Sequence, residues 1–223
     1  MSSGDGVLTL RLASFLEFAT GHLPPTPARV LEVGCGDGAL ALAMARAGYS
    51  VTAVDPRAPA GEIFVQTRLE DFEDPSGFDA VVASVSLHHV HDVGGGLDRL
   101  VELLRPGGLL VLEEFASERF AGATARWYYH QRLALAALGR DDAPPAADFD
   151  AWLVDWKAGH ADIHPWRDLR RELAARFSSR HEEWVPYLYD YRLDDELEPL
   201  ERALIAAGSL DANGVRYVAE RSG

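Results

Sequence analysis

The stretch VLEVGCGDGAL, residues 30–40, decides the fold because it places a glycine-rich turn between a strand pattern and a helix pattern. The apolar run that ends at Val33 predicts a buried strand, and residues 39–47 predict a helix. Between them, glycines stand at the alternate positions Gly34, Gly36 and Gly38. Glycine costs backbone entropy but allows conformations and close approaches that side chains forbid. The pattern therefore predicts a turn that brings the backbone close to a ligand, beside the unpaired N–H groups of the helix start.

The same alternation of short apolar runs and helical segments continues along the chain. A further helix pattern covers residues 93–104, and strand patterns cover residues 28–33, 50–54, 63–65, 78–84 and 109–113. Strands that alternate with helices in this way are typical of a parallel sheet covered on both faces. We therefore predict an α/β fold with helices on both sides of a mostly parallel sheet.

The segments outside this alternation predict helices at the start of the chain and over the sheet. Residues 7–19 carry apolar side chains at helical spacing, and prolines interrupt the chain shortly afterwards. Residues 117–166 are rich in Trp, Tyr and His and have no strand pattern, so they predict a helical cap. The rest of the chain predicts a helix that begins with Pro165 and reaches residue 177, a strand at 181–191, a helix at 197–207 and a strand at 214–221.

Composition excludes several classes of function. The net charge of −14 repels phosphate backbones and the chain has no basic patch, so we expect no nucleic-acid partner. No run approaches about 18 uncharged apolar residues and the N-terminus lacks a signal-peptide pattern, so we expect no membrane segment. Cys35 is the only cysteine. A chain that cannot form an internal disulfide is typical of a reducing cytoplasm, where we expect this protein.

The glycine turn taken alone leaves the ligand open. Gly34-x-Gly36-x-x-Ala39 matches the dinucleotide pattern, and Asp55 follows about twenty residues later at the end of the next strand, where an acid can hold ribose hydroxyls. A nicotinamide-dependent oxidoreductase is therefore one interpretation of these residues. An ordinary tight turn without a ligand is another.

Four further segments distinguish between these interpretations. They are VTAVDP at residues 51–56, FVQTRLEDF at 64–72, FDAVVASVSLHHVHD at 78–92 and LLRPGGLLVLEEF at 103–115. Together with VLEVGCGDG they resemble, in order, the motifs of the class I S-adenosylmethionine-dependent methyltransferases that act on small molecules. The resemblance covers residues 27–115 closely and extends loosely to the end of the chain. It implies a Rossmann-like, seven-stranded, mostly parallel sheet with an antiparallel last strand, and S-adenosylmethionine as cofactor.

With this resemblance the chain is predicted to form one domain over residues 1–223. Its parts are an N-terminal helix and linker at residues 1–27, a cofactor-binding half at 28–115, an inserted cap or lid at 116–166, and C-terminal helices and strands at 167–223. A chain of 223 residues with 48% hydrophobic content can bury one sizeable core. A single domain is therefore the simplest division.

The resemblance also implies roles for individual residues. Glu32 lies near the methionine amino group, directly or through water, and Asp55 takes both ribose hydroxyls, because two acceptor oxygens suit a vicinal diol. Leu69 offers backbone groups to adenine. The whole cofactor-binding prediction comprises Glu32, Gly34, Cys35, Gly36, Gly38, Asp55, Pro56, Leu69, Glu70, Asp71, Ser84 and Val85.

The adenine loop departs from the family pattern at one position. Arg68 stands where many relatives carry an acid for the adenine amino group, and arginine has no acceptor atom. Either Glu70 or Asp71, or a backbone carbonyl, is expected to take that role.

Methyl transfer is an in-line displacement, in which positioning of the reactants can supply roughly 7–11 kcal/mol. A general base that removes a proton from an oxygen or nitrogen acceptor adds about 10²–10⁴-fold. Histidine suits this task near neutral pH, and the candidates are His89, His160 and His164. A side chain that caps the turn is the alternative for His89, and solvent-exposed histidines are the alternative for the other two.

Two groups of residues leave further alternatives open. His88, His89, His91 and Asp92 are crowded together, but adjacent histidines rarely converge on one ion, so we predict no metal. The aromatic residues of 117–166 either form a lid over an apolar pocket for a small organic molecule or pack as a separate small core. A cation–π cage for an amine acceptor is a third interpretation.

The sequence therefore predicts an enzyme that methylates an oxygen or nitrogen atom of a small molecule. A homodimer is expected only because dimers are common. Three alternatives remain at this point: a nicotinamide-dependent oxidoreductase, a transferase that moves another group from the same cofactor, and a non-catalytic S-adenosylmethionine-binding partner of another chain.

Overall fold

A seven-stranded sheet forms the centre of the molecule. The computed structural model describes residues 8–141, 143–146 and 148–222. The strands are β1 (Arg29–Val33), β2 (Ser50–Asp55), β3 (Phe64–Gln66), β4 (Phe78–Ser84), β5 (Leu104–Phe115), β6 (Phe177–Val185) and β7 (Gly214–Arg221). Their order in the sheet is β3-β2-β1-β4-β5-β7-β6. Strands β1 to β5 pair in parallel, whereas β7 is antiparallel to β5 and β6, which confirms the predicted Rossmann-like, mostly parallel sheet.

Helices cover both faces of this sheet, as predicted. They are α1 (Leu10–His22), α2 (Ala39–Arg46), α3 (Val93–Leu103), α4 (Gly122–Ala137), α5 (Phe149–Gly159), α6 (Trp166–Ala174) and α7 (Glu198–Ala206). Side chains of a strand point alternately to opposite faces, so the central strands feed two apolar clusters. One cluster includes Phe15 of α1 and Met44 of α2. The other includes Leu97 of α3 and Leu169 of α6.

The strand order places a crevice beside the glycine turn. From β1 the chain continues outward to β2 and β3, and it then returns to add β4 on the other side of β1. In open α/β sheets a ligand binds outside the carboxyl ends of the strands, at the point where the strand order reverses. The turn that follows β1 and the turn that follows β4 meet at this point.

The N-terminal helix and β5 differ from their predicted bounds. Helix α1 begins at Leu10, because the Thr9 side chain caps it by accepting a hydrogen bond of 3.2 Å from the Leu12 N–H. The predicted start, residue 7, lies outside the described residues. Strand β5 begins five residues earlier than its apolar run, because Leu104 already pairs with Phe78 before an irregularity in the register.

Two elements near the C-terminus were also predicted with wrong bounds. Helix α6 ends at Ala174 rather than at residue 177, because Phe177 already begins β6. Pro165 is the N-cap of α6 rather than its first residue. Strand β6 covers Phe177–Val185 instead of residues 181–191. It is an edge strand in which three exposed polar residues follow the buried Phe177 and hide the apolar alternation of a half-buried strand. Pro186 follows its end.

The cap consists of α4, α5 and the chain around them. Most of its aromatic side chains pack together in a third apolar cluster, which includes Phe120, Tyr128 and Trp152. The interpretation as a separate small core therefore holds for these residues. Trp166 is different, because it packs with the sheet cluster that contains α3 and α6. Within the described residues no helix has the length and apolar character needed to cross a membrane.

Candidate active site

The three glycines of the turn serve different purposes. Gly34 and Gly38 have φ angles of +75° and +84°, a region that favours glycine. A Cβ on Gly34 would lie 2.3 Å from the Cβ of Ser86, and one on Gly38 would lie 2.4 Å from the ring of Phe64. These two glycines are required by the protein's own packing. Gly36, with a φ of +54°, borders open space, so it is the position where the backbone leaves room for a ligand.

Asp55 ends β2 next to this turn. Its carboxylate accepts hydrogen bonds from the Gly36 N–H at 3.2 Å and from the Arg57 N–H at 2.7 Å. Because each oxygen takes one of these bonds, each retains capacity to accept another. Asp55 is half-buried and Pro56 beside it is exposed. These two bonds hold the carboxylate in place and leave both oxygens able to accept hydrogen bonds from a vicinal diol.

Glu32 is a buried carboxylate with an unused acceptor. Its side chain lies on β1, is 3% exposed, and its Oε2 atom has no hydrogen-bond partner among the described residues. Burial raises the pKa of Glu32 to about 8, and the nearby charges of Asp37 and Asp55 act in the same direction. A buried polar atom without a partner is costly, and a cationic donor would remove that cost. The methionine end of S-adenosylmethionine carries such a donor, so these residues fit it.

Cys35 lies inside the turn and is buried. Burial raises the pKa of its thiol to about 12, with a further contribution from the Glu32 carboxylate. Because the thiolate is the reactive form of cysteine, Cys35 is not activated as a nucleophile. Its contribution to the turn is the packing of a small apolar side chain.

The loop predicted to bind adenine divides into a buried and an exposed part. Leu69 is buried in the cluster with α3 and α6, and Arg68, Glu70 and Asp71 are exposed at the surface. The Thr67 N–H donates to the Asp55 carbonyl at 3.2 Å, which ties this loop to the end of β2. The loop is therefore adjacent to Asp55, and the roles of Leu69, Glu70 and Asp71 toward adenine stay predictions.

The turn after β4 is strained and in contact with the glycine turn. Val85 has a φ of +53°, which is unusual for a β-branched residue and costs about 1–3 kcal/mol. Its N–H donates to the Glu113 carbonyl at 2.7 Å. The Ser86 hydroxyl donates to the Val33 carbonyl at 2.7 Å, which joins this turn to the end of β1. Strain of this kind concentrates at functional sites.

A cavity of about 360 Å³ lies beside this strained turn. Its volume falls in the range of about 300–1,000 Å³ that is typical of small-molecule sites. It is lined by Val85, His88, His89, Phe115, Gly159, His160, Asp162, Ile163, Tyr187 and Tyr191. The end of the cap therefore contributes walls to the cavity, in addition to the aromatic packing deeper in the cap.

The structure brings two of the three predicted catalytic histidines to this cavity. His89 is exposed, and both burial of part of its ring and the neighbouring His88 lower its pKa. His160 lines the cavity as well, but its two ring nitrogens bond the Trp156 carbonyl at 2.7 Å and the Tyr191 hydroxyl at 2.9 Å.

His164 does not line this cavity, and its catalytic role stays a prediction. Its Nε2 atom lies 3.0 Å from the Val90 carbonyl, and its backbone N–H donates to the His88 carbonyl at 3.0 Å. Because a carbonyl oxygen can only accept, Nε2 must carry the proton and is occupied. His164 thus joins the start of α6 to the turn after β4.

Sequence reasoning missed the pair formed by His88 and Glu114. Both side chains are buried, at 4% and 1% exposure, and His88 Nδ1 lies 2.5 Å from Glu114 Oε2. The other carboxylate oxygen accepts the N–H groups of Ser86 at 3.2 Å and Leu87 at 2.8 Å. The signal was present in LLVLEEF, since two consecutive acids inside a buried strand need partners.

Sequence reasoning also missed a second hydrogen-bond network, which surrounds Glu113. Glu113 is buried and accepts hydrogen bonds from Arg11 of α1 and from Arg216 of β7, the latter at 2.8 Å. Arg11 also donates to Ser84 at 2.9 Å and to Asp190 at 2.8 Å. Helix α1 is therefore joined to the end of β4 and to the loop after β6, which carries two tyrosines of the cavity wall.

The described residues contain no group of three or more His, Cys, Asp or Glu side chains that could hold a metal ion. His88, the first residue of the crowded histidine segment, bonds Glu114, whereas His91 and Asp92 are exposed. The segment therefore does not converge on one point. A site without a resident metal stays a prediction.

A family model described as a methyltransferase domain matches residues 8–178. The ubiquinone biosynthesis O-methyltransferase of Xanthomonas axonopodis pv. citri (strain 306) is 35% identical over 196 residues, which cover 78% of this chain and 79% of that protein. The family-model match includes the glycine turn and extends beyond the end of the cap.

Solved structures share the fold at much lower identity. The N-methyltransferase NodS from Bradyrhizobium japonicum WM9 has a TM-score of 0.57 at 14% identity, and the match covers 96% of this chain and 95% of NodS. The 1,6-didemethyltoxoflavin-N1-methyltransferase of Burkholderia thailandensis, solved with 1,6-didemethyltoxoflavin and S-adenosylhomocysteine bound, has a TM-score of 0.55 at 20% identity, covering 98% of this chain and 80% of that chain. At these identities the likeness shows the fold.

Proposed function

This chain belongs to the S-adenosylmethionine-dependent methyltransferase family, and on that premise we propose that its acceptor is a small organic molecule bound in the cavity beside the β4 turn. The proposal rests on one turn that borders both the glycine turn and the cavity. The turn of Val85 and Ser86 packs against the glycine turn on one side and lines the cavity on the other. An acceptor in the cavity would therefore lie next to the cofactor.

S-adenosylmethionine supplies a methyl group on a positively charged sulfur, and the chain's own residues do the rest. Glu32 would hold the methionine ammonium, Asp55 would accept from the ribose hydroxyls, and Gly36 would leave room for the approach. Positioning is the main task of such a site, because holding two reactants in line can supply roughly 7–11 kcal/mol.

The cavity supports an acceptor that has both flat apolar and polar parts. Phe115, Ile163 and Tyr187 supply apolar wall, and His89 and His160 supply polar groups. Oxygen is the favoured acceptor atom, because the relative at 35% identity is named an O-methyltransferase. His89 at the cavity rim and His160 beside Tyr191 are proposed to contact the acceptor's polar groups.

Several wider predictions accompany this function. We propose the division into residues 1–27, 28–115, 116–166 and 167–223, a cytoplasmic location and a homodimer without nucleic acid. The single buried cysteine supports a reducing compartment, and the net charge of −14 argues against a phosphate-rich partner. Light scattering of the pure protein at several concentrations tests the homodimer.

Calorimetric titration tests the cofactor site. We expect S-adenosylmethionine and S-adenosylhomocysteine to bind, and Asp55→Ala to weaken both by about 100-fold, since hydrogen bonds to a charged group are each worth about 1.5–3 kcal/mol. Asp155→Ala, at an exposed position of α5, is the control and should bind normally. Binding of NAD(P)H in place of the two adenosyl compounds would contradict the assignment of this site.

A second experiment tests the acceptor. The protein is incubated with S-adenosylmethionine and a panel of hydroxybenzoic acids, catechols and anilines, and products are identified by mass. A gain of one methylene unit on a phenol supports the proposal. Methylation of anilines alone would move the assignment to nitrogen. Methylation of none of the panel would contradict an acceptor with flat apolar and polar parts in this cavity.

A further inference from the structure

We propose that His88 takes the proton from the acceptor atom, and that Glu114 holds His88 in the tautomer that this step requires. The inference rests on the methyl transfer proposed above. It adds a catalytic residue, His88, and a positioning residue, Glu114. The geometry that points to it is a buried Glu–His pair whose histidine forms part of the cavity wall.

Glu114 is placed to act on one nitrogen of His88 only. Its Oε1 atom accepts the backbone N–H groups of Ser86 and Leu87, which stabilise negative charge on the carboxylate. Its Oε2 atom is left to accept from His88 Nδ1 at 2.5 Å. The carboxylate therefore holds both the ring and the turn that carries it, and it directs the proton of the neutral ring to Nδ1.

The other nitrogen of His88 is then free to accept a proton. With the hydrogen on Nδ1, Nε2 carries a lone pair. Nε2 has no hydrogen-bond partner among the described residues, and His88 borders the cavity. A carboxylate that orients a histidine, whose second nitrogen faces the reacting group, is the arrangement by which general bases are set up in other enzymes.

The proposed step is an in-line displacement coupled to a proton transfer. The acceptor oxygen forms a bond to the methyl carbon, the carbon–sulfur bond breaks, and its electron pair stays on sulfur. The proton of the acceptor hydroxyl passes to His88 Nε2. The imidazolium that results is paired with the Glu114 carboxylate, and the proton leaves to water before the next turnover.

The other histidines of the site are less suited to this step. His160 already bonds a carbonyl and a tyrosine hydroxyl, and His164 bonds the Val90 carbonyl. No carboxylate among the described residues bonds the His89 ring, which contacts the His88 ring at a centroid distance of 4.2 Å. Among these four rings, and within the described residues, His88 alone combines a bonded carboxylate, a second nitrogen without a partner and a place in the cavity wall.

The tautomer can be measured in the ligand-free protein. Nitrogen–proton correlation spectra of the imidazole rings, assigned with His88→Gln, should show His88 with an unprotonated Nε2. In Glu114→Gln the amide N–H₂ faces Nδ1, so the ring should change to the Nε2–H tautomer. A wild-type ring that carries its proton on Nε2 would overturn the proposal.

Glu201→Gln is the matched control for the loss of a buried charge. Glu201 is 1% exposed and its carboxylate accepts three backbone N–H groups, those of Tyr187, Leu188 and Tyr189, but no histidine. This variant should lose stability, as Glu114→Gln should, yet leave the His88 tautomer unchanged. A change of tautomer in both variants would show a general structural effect and overturn the role of Glu114.

Kinetics test the same assignment on the phenol that the panel identifies. His88→Gln and Glu114→Gln should lower kcat by about 10²–10⁴-fold, with the Kd of S-adenosylmethionine changed by less than about twofold. His91→Gln, an exposed neighbour, is the control. A kcat of His88→Gln within about threefold of wild type would overturn the proposal.

The tautomer of His88 is a property of the ligand-free protein and does not depend on the acceptor. If no panel compound is methylated, the acceptor class fails and the tautomer measurement still decides for or against His88.

Discussion

Glu32 and Glu114 are two buried carboxylates on central strands of one sheet, and they are satisfied in opposite ways. Glu32 on β1 has an oxygen without a partner among the described residues, beside a glycine that borders open space. Glu114 on β5 binds two backbone N–H groups and a histidine. Burial alone therefore does not describe their function.

The contrast shows two ways in which one fold can use a buried carboxylate. A buried acceptor that the protein leaves empty is costly until a ligand supplies a donor, so it contributes to affinity. A buried acceptor that the protein fills holds a turn in place before any ligand arrives, so it contributes to positioning. Removal of each carboxylate should consequently change different observables.

The largest effect is expected from Glu114→Ala. This change leaves the Ser86 and Leu87 N–H groups and His88 without their partner, and because each buried polar group left unsatisfied costs about 1–3 kcal/mol, we expect about 3–5 kcal/mol in total. Urea denaturation at neutral pH should show a loss in the free energy of unfolding of that size. A loss no greater than that of Glu32→Ala would contradict the structural role assigned to Glu114.

The next effect is on affinity. Glu32→Gln keeps the shape of the side chain but cannot form the carboxylate that would pair with the ligand's ammonium group, so the Kd for S-adenosylmethionine should rise by about 10–100-fold, as expected for one hydrogen bond between charged groups. Calorimetry measures it. Glu201→Gln, at a buried carboxylate that the protein fills itself, should leave this Kd within about twofold.

The raised pKa of Glu32 predicts how the free energy of unfolding depends on pH. Its pKa in the folded protein, about 8, lies above its ordinary value, so the folded state holds this proton more tightly than the unfolded state. The resulting stability is fully present at low pH and is lost as pH rises through about 8. Relative to Glu32→Gln, the wild type should lose up to about 1.4 kcal/mol for each pH unit between about pH 6 and 8.

Parallel urea titrations of the two proteins across this pH range give the difference directly. In Glu32→Gln the group does not titrate, so its own curve serves as the baseline. A wild-type curve that stays parallel to this baseline would mean that Glu32 is ionised at neutral pH and already paired.

The smallest effect concerns the glycine beside Glu32. Gly36→Ala and Gly208→Ala both place alanine at a positive φ in open space, so each should cost about 1–2 kcal/mol of stability. Only Gly36→Ala should also weaken S-adenosylmethionine, because only Gly36 lies next to Asp55. Equal affinities in the two variants would remove Gly36 from the binding site.

The sequence predicted the half of the site that depends on local chain order. Gly36 and Asp55 belong to short motifs whose strand–turn–helix context is legible from periodicity, and the strands β1, β2 and β4 that carry them have apolar runs with clear ends. The resemblance in motif order also gave the strand count and the antiparallel β7. Gly36 and Asp55 stand only 19 positions apart, whereas the strand count came from the order of the motifs.

The other half depends on contacts between distant segments. Glu114 meets His88 across 26 positions, and Arg11 meets Glu113 across 102, and no local pattern specifies such pairs. For the same reason the sequence could not show that the His164 ring bonds the Val90 carbonyl. The aromatic residues of the cap were ambiguous because a core and a pocket wall use the same side chains.

The two consecutive acids of β5 have one more consequence, for misfolding. Neighbouring residues of a strand point to opposite faces, so Glu113 reaches Arg11 and Arg216 on one side while Glu114 reaches the β4 turn on the other. A slip of β5 by one position against β4 and β7 would send both carboxylates into the wrong layer, each without a counter-charge. The two acids therefore disfavour a shifted pairing of β5 as soon as it forms, because both carboxylates lose their partners.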